Sequence, residues 1–298
     1  MKRVASGETS EQTSEFPESA ELPDLQTLAA RSAEWIVQAD GLLITAGAGI
    51  GIDSGLPDFR GPQGFWRAYP TLGKAGLAFE EIASPEAFVR HPRLAWGFYG
   101  HRLNLYRATE PHVGFGILRR FGESRPRGCF VFTSNVDGQF VKAGFDSMRI
   151  VECHGSLHHL QCLDRCCDDI WPADAFHPEV DETHCLLISD LPLCPRCGGL
   201  ARPNVLMFGD WGWLEERSDA QHERFAAWRQ KVGKLVVIEV GAGTSIPTVR
   251  RLGESINGVL IRINPDEPQL RSGQGVSIAC GGRAALEAIA AAMEHETR

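Results

Sequence analysis

The chain has 298 residues, 43% hydrophobic and 23% charged, with a formal net charge of −8. This composition is enough for a substantial core, read as one large domain with a smaller inserted module. The acidic balance gives no attraction to phosphate backbones, so no direct nucleic-acid partner is expected, while basic peptides would be drawn to it. No uncharged apolar run reaches the about 18 residues that a membrane-spanning helix needs, so no membrane association is expected.

Residues 1–24 carry Glu8, Glu11, Glu15, Glu18, Glu21 and Asp24 against Lys2 and Arg3, and are expected to form a disordered acidic tail. The start, Met1-Lys-Arg-Val-Ala5, lacks the apolar stretch of a secretory signal, and its acids argue against a transit peptide, so a cytoplasmic location is expected. A helix is predicted from Leu25 to Ala39. Next comes the buried-strand pattern Gly41-Leu-Leu-Ile-Thr45, which runs into Ala46-Gly-Ala-Gly-Ile-Gly-Ile-Asp-Ser-Gly-Leu-Pro-Asp-Phe-Arg-Gly61. Gly47 and Gly49, around Ala48, remove side chains that would hold a diphosphate off the backbone N–H groups. Such a turn also serves to pack a helix closely against a sheet. The Pro, acid, aromatic and base of Leu56-Pro-Asp-Phe-Arg60 make a loop where a plain dinucleotide site has a helix, which points to something beyond phosphate binding.

A mostly helical interruption, 61–111, precedes the strand Cys129–Ser134. Asn135 and Asp137 follow its end, where an amide and a carboxylate can hydrogen-bond a carboxamide; an Asx turn is the plainer reading of Asn135. Cys153-His-Gly-Ser156 offers His154, an imidazole that titrates near the working pH and so can serve as a general base. The second interruption, 157–200, holds Cys162-Leu-Asp-Arg-Cys166 and Cys194-Pro-Arg-Cys197. Nine cysteines is an odd count that favours thiols and metal over disulfides, and two close pairs make a closed Cys₄ structural zinc site. Cys167 could replace its neighbour Cys166, since adjacent residues rarely both point at one ion. Further strands are predicted at Leu235–Val240 and Val259–Ile263, with helices at Glu215–Lys231 and Arg283–Glu294. The expected fold is α/β: a Rossmann-like parallel sheet (about 25–60, 112–156 and 201–298) with a smaller inserted helical and zinc-binding domain (about 61–111 and 157–200).

The glycine loop, Thr133-Ser-Asn-Val-Asp137, Cys153-His-Gly-Ser156, Cys194-Pro-Arg-Cys197, Arg202-Pro-Asn-Val-Leu-Met-Phe-Gly209, Gly243-Thr-Ser245 and Ile263-Asn264 stand in an order that resembles the sirtuin family of NAD-dependent protein-lysine deacylases. The resemblance covers the chain after its tail. It implies NAD and structural zinc as cofactors and acyl-lysine proteins as substrates. It implies His154 as the base, with Asn135 and Asp137 holding ribose and nicotinamide; Ser134 stands where the family has Gln. Gly47, Ala48 and Gly49 would meet the diphosphate, Asp58 and Arg60 would close over it, and Phe59 would shield the reactive carbon. Gly243, Thr244, Ser245 and Asn264 would lie on the adenosine side, with the Cys280 backbone at adenine. Phe208 and Gly209 would pair with the substrate backbone. The family's tighter cysteine spacing selects Cys166.

Gly51 and Ile52 depart from the family's Ser and Ala, and Ile246-Pro-Thr-Val-Arg-Arg251 departs from its apolar run. Glu239, near the end of its strand, has no assigned role. Tyr99 and Arg102 share a helix face and resemble the pair with which desuccinylase-type sirtuins hold an acidic acyl group, as Phe65-Trp66-Arg67 also resembles that branch; a simple surface covering is the rival reading. Competing functions are an ADP-ribosyltransferase or NAD hydrolase, and a non-catalytic sensor of NAD or ADP-ribose.

Overall fold

The computed structural model describes residues 24–57, 72–73, 76, 78–271 and 274–296. The expected tail through position 23, the Asp58, Phe59 and Arg60 motif, and Phe65-Trp66-Arg67 lie outside the described residues.

Helix α1 (Leu25–Gln38) is started by Asp24, whose carboxylate accepts the Thr27 N–H at 2.7 Å. It leads into β1 (Gly41–Ala46) and a 3₁₀ turn at Ala48–Ser54. Helices α2 (Phe79–Ile82), α3 (Pro85–Arg90), α4 (Pro92–Ala108) and α5 (Val113–Glu123) follow. After β2 (Cys129–Thr133) come α6 (Gln139–Lys142), β3 (Ile150–Glu152), β4 (Gly155–Cys162), β5 (Ile170–Pro172), β6 (Val180–Asp181), β7 (Leu186–Leu187) and β8 (Ala201–Val205). The chain then forms α7 (Glu216–Arg229), β9 (Leu235–Val240), α8 (Thr248–Ser255), β10 (Val259–Ile263), β11 (Gly275–Ile278) and α9 (Gly282–Glu296).

The six strands β11-β10-β9-β1-β2-β3 pair in that order, all parallel, as a Rossmann-like sheet. Every residue of β1 is buried because both faces are covered. Leu42, Ile44 and Ala46 face one core with α1, α5 and α9, while Leu43 faces a second with Phe130 and Trp228. That is why β1 reads as a continuous apolar run rather than an alternation. The predicted strands at β1, β2, β9 and β10 are present, and β3 and β11 extend the sheet at its edges. Those two are only three and four residues long, too short to show a period.

A third core lies between α4 and the antiparallel sheet β5-β4-β8. The Trp96 indole on α4 ties the two together by donating to the Ala201 carbonyl at 2.9 Å. Gly97 lets the β6–β7 hairpin close on the same helix, since a Cβ there would stand 2.0 Å from the Cys185 carbonyl oxygen.

From β1 the chain steps outward to β2 and β3, then returns to place β9 on the other side of β1. The carboxyl ends of β1 and β9 therefore flank a topological switch point, where open α/β sheets form their ligand crevice.

Candidate active site

At that switch point Gly47 and Gly49 serve the fold directly. Their N–H groups donate to the carbonyls of Val240 and Gly241, at 3.1 and 3.0 Å. A Cβ on Gly47 would lie 2.6 Å from the Gly241 oxygen, and one on Gly49 2.6 Å from the Gly241 Cα. The two glycines are thus required for the β1 turn to pack against the β9 turn, a different physical reason from direct exposure of their amides to a diphosphate. The segment after them is a 3₁₀ turn closed by Gly55 in the left-handed conformation, φ 84°. It is pinned from outside: Asp53 accepts the Arg283 N–H at 2.7 Å, and Ser54 accepts the His112 N–H at 2.9 Å. The buried His112 ring also meets the Ile50 carbonyl at 3.1 Å.

The β2 end is tied to the same turn. Thr133 Oγ1 donates to the Ala46 carbonyl and accepts the Asn135 N–H, both at 3.0 Å, and Asn135 Nδ2 donates to the Gly47 carbonyl at 3.1 Å. The Asp137 carboxylate accepts the Gln139 N–H at 2.9 Å, and the His158 ring meets the Asp137 carbonyl at 2.9 Å. Asn135 and Asp137 are both buried. Burial pushes the Asp137 carboxyl up to about 6; the Gln139 N–H opposes this, the Glu152 charge adds to it, and Arg102 pulls the value down less strongly.

His154 follows β3, with its backbone carbonyl accepting the Leu206 N–H at 3.0 Å. Burial lowers its imidazole below the ordinary value, partly offset by a hydrogen bond with the Ser134 carbonyl. The ring is therefore neutral at neutral pH, with one nitrogen able to accept a proton. Its Nε2 lies 3.5 Å from the Thr248 hydroxyl. The structure brings His154, Ser134, Asn135 and the Gly47 turn together through this chain of contacts.

On the β9 and β10 side, Asn264 donates to the Ala242 carbonyl at 2.9 Å and accepts the N–H groups of Asp266 and Glu267. Thr244 and Ser245 are exposed beside it, and the Thr244 N–H and hydroxyl both donate to Glu267. Cys280 is half-buried just after β11. Glu239 finds its role in the core: it is fully buried and accepts from Arg262 Nε at 2.5 Å, with Glu254 also on Arg262. It cannot serve a ligand from there.

Phe208 and Gly209 follow β8. The Phe208 N–H donates to the Ala83 carbonyl at 3.0 Å, its half-exposed ring packs edge-on against Phe79, and Gly209 is left-handed at φ 66°. A fully buried ion pair, Arg202 to Asp210 at 2.7 Å, anchors this turn. Tyr99 and Arg102 of α4 lie in the third core, the phenol stacked on Phe88 and the guanidinium donating to the Tyr106 hydroxyl at 2.6 and 3.0 Å. Both are buried, so the surface-covering reading does not hold.

The sulfurs of Cys162, Cys166, Cys194 and Cys197 all lie within 4.8 Å of one another, with Cys162 to Cys197 at 3.8 Å and Cys166 to Cys194 at 3.6 Å. Tetrahedral zinc with Zn–S bonds of about 2.3 Å sets its sulfurs about 3.8 Å apart. The donor set therefore fits zinc and leaves no open coordination position. Cys167 lies 3.7 Å from Cys166 but outside the four-sulfur group.

Sequence reasoning missed Thr133, His112, Gln139 and Thr248 as supports of the site. Thr133 was visible as the start of its motif and Gln139 lies two residues past Asp137, while His112 and Thr248 touch the site only after distant segments have packed.

A family model described as the Sir2 family matches residues 47–246. An NAD-dependent protein deacylase of Aquifex aeolicus is 34% identical to this chain over 76% of it and 84% of its own length. One of Pyrococcus abyssi is 34% identical over 79% and 86%. Among solved structures, a variant of a Sir2 homologue in complex with ADP-ribose superposes with a TM-score of 0.67 at 25% identity, covering 90% of this chain and 97% of that one.

Proposed function

Because the chain belongs to the Sir2 family, we propose that it is an NAD-dependent protein-lysine deacylase in which His154 is the general base. The observation that carries this is the neutral, half-buried His154 ring beside Ser134 and Thr248 at the carboxyl ends of the parallel strands. The relatives named as deacylases are matched over most of their own length, which extends the reading to the whole activity.

The residues present fit NAD: a glycine turn seated at the switch point, exposed Thr244 and Ser245 hydroxyls beside it, and a buried amide and carboxyl after β2. Gly47, Ala48 and Gly49 would border the diphosphate as a turn without bulky side chains, the Gly47 and Gly49 N–H groups being held by Val240 and Gly241, and Gly243, Thr244, Ser245, Asn264 and the Cys280 backbone would hold diphosphate and adenosine. Ser134, Asn135 and Asp137 would hold ribose and nicotinamide. When bound, NAD would supply a ribose carbon that exchanges nicotinamide for the acyl oxygen and a ribose hydroxyl that takes up the acyl group as the lysine amine leaves. His154 Nε2 would hold the proton given up by that hydroxyl. Asp137, protonated below about pH 6, can donate to a carboxamide oxygen and, ionised, accept from its NH₂. Asp58, Phe59 and Arg60 are proposed to close the site. Phe208 and Gly209 offer their backbone to the substrate peptide. Cys162, Cys166, Cys194 and Cys197 would hold zinc as four thiolates, which would tie their two turns together and leave no position for chemistry.

Acyl-dependent nicotinamide release tests this reading. Release only in the presence of an acylated peptide supports a deacylase; release without it means an NAD hydrolase, and binding without consumption means a sensor.

A finer reading concerns the acyl group. Arg102 is a buried cation whose charge is felt at both Tyr99 and Asp137, so it can attract an acidic acyl chain entering toward Asp137. Succinyl- or malonyl-lysine is then removed at least as efficiently as acetyl-lysine. Arg102→Met should lower kcat/KM on a succinyl peptide selectively; an equal loss on matched succinyl and acetyl peptides would make Arg102 a structural partner of Tyr106.

A further inference from the structure

Residues 246–251 read Ile-Pro-Thr-Val-Arg-Arg, and nothing in the proposed chemistry so far uses them. In the structure Pro247 is the N-cap of α8 and Thr248 its first residue. Pro has a fixed φ, which restricts how the chain can enter this helix. Thr248 is thereby carried to His154, with its hydroxyl 3.5 Å from Nε2.

The two contacts of the ring are chemically complementary. A carbonyl can only accept, so the Ser134 carbonyl requires a ring N–H. Nε2 meets the Thr248 hydroxyl; with the ring N–H on Nδ1, Nε2 accepts from that hydroxyl and the ring can still donate to the Ser134 carbonyl. A valine or leucine at position 248 could fill the same space but could not donate.

We propose that Thr248 is a positioning residue for His154: its hydroxyl donates to Nε2, fixing the ring in the Nδ1–H tautomer with the Nε2 lone pair aligned for proton transfer. This rests on the reading of His154 as the general base. A distance of 3.5 Å is long for such a bond, as catalytic hydrogen bonds are before substrate tightens them.

The hydrogen bond stabilises the neutral ring, so its loss should make His154 easier to protonate. Charged groups on the surrounding elements are held elsewhere among the described residues. Glu152 at the end of β3 pairs with Arg217 of α7. His222 of α7 lies against the Phe132 ring. Asp137 accepts the Gln139 N–H, and His158 of β4 faces the Asp137 carbonyl. Arg250 of α8 donates to the carbonyls of Ala242, Glu267 and Gln269.

The test compares Thr248→Val, which keeps the shape and removes the hydroxyl, with Thr248→Ser, which keeps the hydroxyl. The first readout is the NMR titration of the His154 imidazole in NAD-free protein, its signal assigned by its loss in His154→Ala. Thr248→Val should raise the midpoint by about half a unit to one unit, the size of a modest net hydrogen bond, and Thr248→Ser should stay near wild type. The second readout is deacylation: Thr248→Val should lower kcat about tenfold and move the acid limb of its pH profile upward, with KM for peptide and NAD little changed. An unmoved midpoint in Thr248→Val, or equal shifts in the Val and Ser variants, would overturn the proposal. If the wild type deacylates no acyl peptide, the deacylase reading fails, while the titration still decides whether Thr248 controls His154.

Discussion

His154 owes its usefulness to burial, which keeps the imidazole uncharged where an exposed one would be partly protonated. His154→Ala should therefore lower deacylation by about 10²–10⁴-fold while leaving folding and NAD binding largely intact; calorimetric NAD titration alongside turnover checks both halves. Asp137 carries the opposite consequence for stability. Its folded pKa, about 6 against 3.8, means the native state holds a proton that the unfolded chain releases. Stability is then lost as pH rises from about 4 to about 6, and the penalty is complete above that window. The size is of order 3 kcal/mol at neutral pH. Asp137→Asn keeps an oxygen for the Gln139 N–H, so urea unfolding should show it matching wild type near pH 4 and exceeding it at pH 7. The sequence made Asn135, Asp137 and His154 legible because their types and order carry their chemistry. It could not show that Thr133 braces Asn135 or that Thr248 meets His154, since a hydroxyl has no identity as a partner until the fold supplies the other atom.

The β1 and β9 turns illustrate how a motif can be read correctly for place and differently for cause. The glycines do sit at the switch point, yet Gly47 and Gly49 are needed because the Gly241 backbone presses against them. Nothing local to the sequence at 47–49 announces a partner nearly two hundred positions away. The cysteine turns were legible because two close pairs with a medium insert already define a tetrahedral donor set. The residues alone left Cys166 and Cys167 open, the family's tighter spacing selected Cys166, and Cys166 is the residue within the four-sulfur group. Purified protein should contain one zinc per chain by metal analysis. Cys167→Ser should retain it, and Cys166→Ser should lose it together with the order of β4 and β8, since structural zinc contributes folding energy directly. Zinc near zero in a folded, active preparation would refute the assignment.

The parallel sheet provides the crevice, while the antiparallel sheet β5-β4-β8 and α4 enclose a separate core that buries Tyr99 and Arg102, with Phe208 emerging after β8. Strands β1, β2, β9 and β10 could be read from apolar runs of branched residues, whereas strand β8 reads Ala-Arg-Pro-Asn-Val, whose polar residues are buried against the 210–214 turn rather than exposed. Gln161 and Asn204 satisfy that turn through the backbone of Gly212 and Leu214, a pattern no periodicity reports. The two sheets serve one proposed reaction, the passage of an acyl group from lysine to ADP-ribose. Mass spectrometry of acyl-lysine peptides incubated with the protein and NAD tests it most directly. The account predicts deacylated peptide and O-acyl-ADP-ribose in equal amounts, both lost in His154→Ala; free ADP-ribose with the acyl peptide untouched would contradict it.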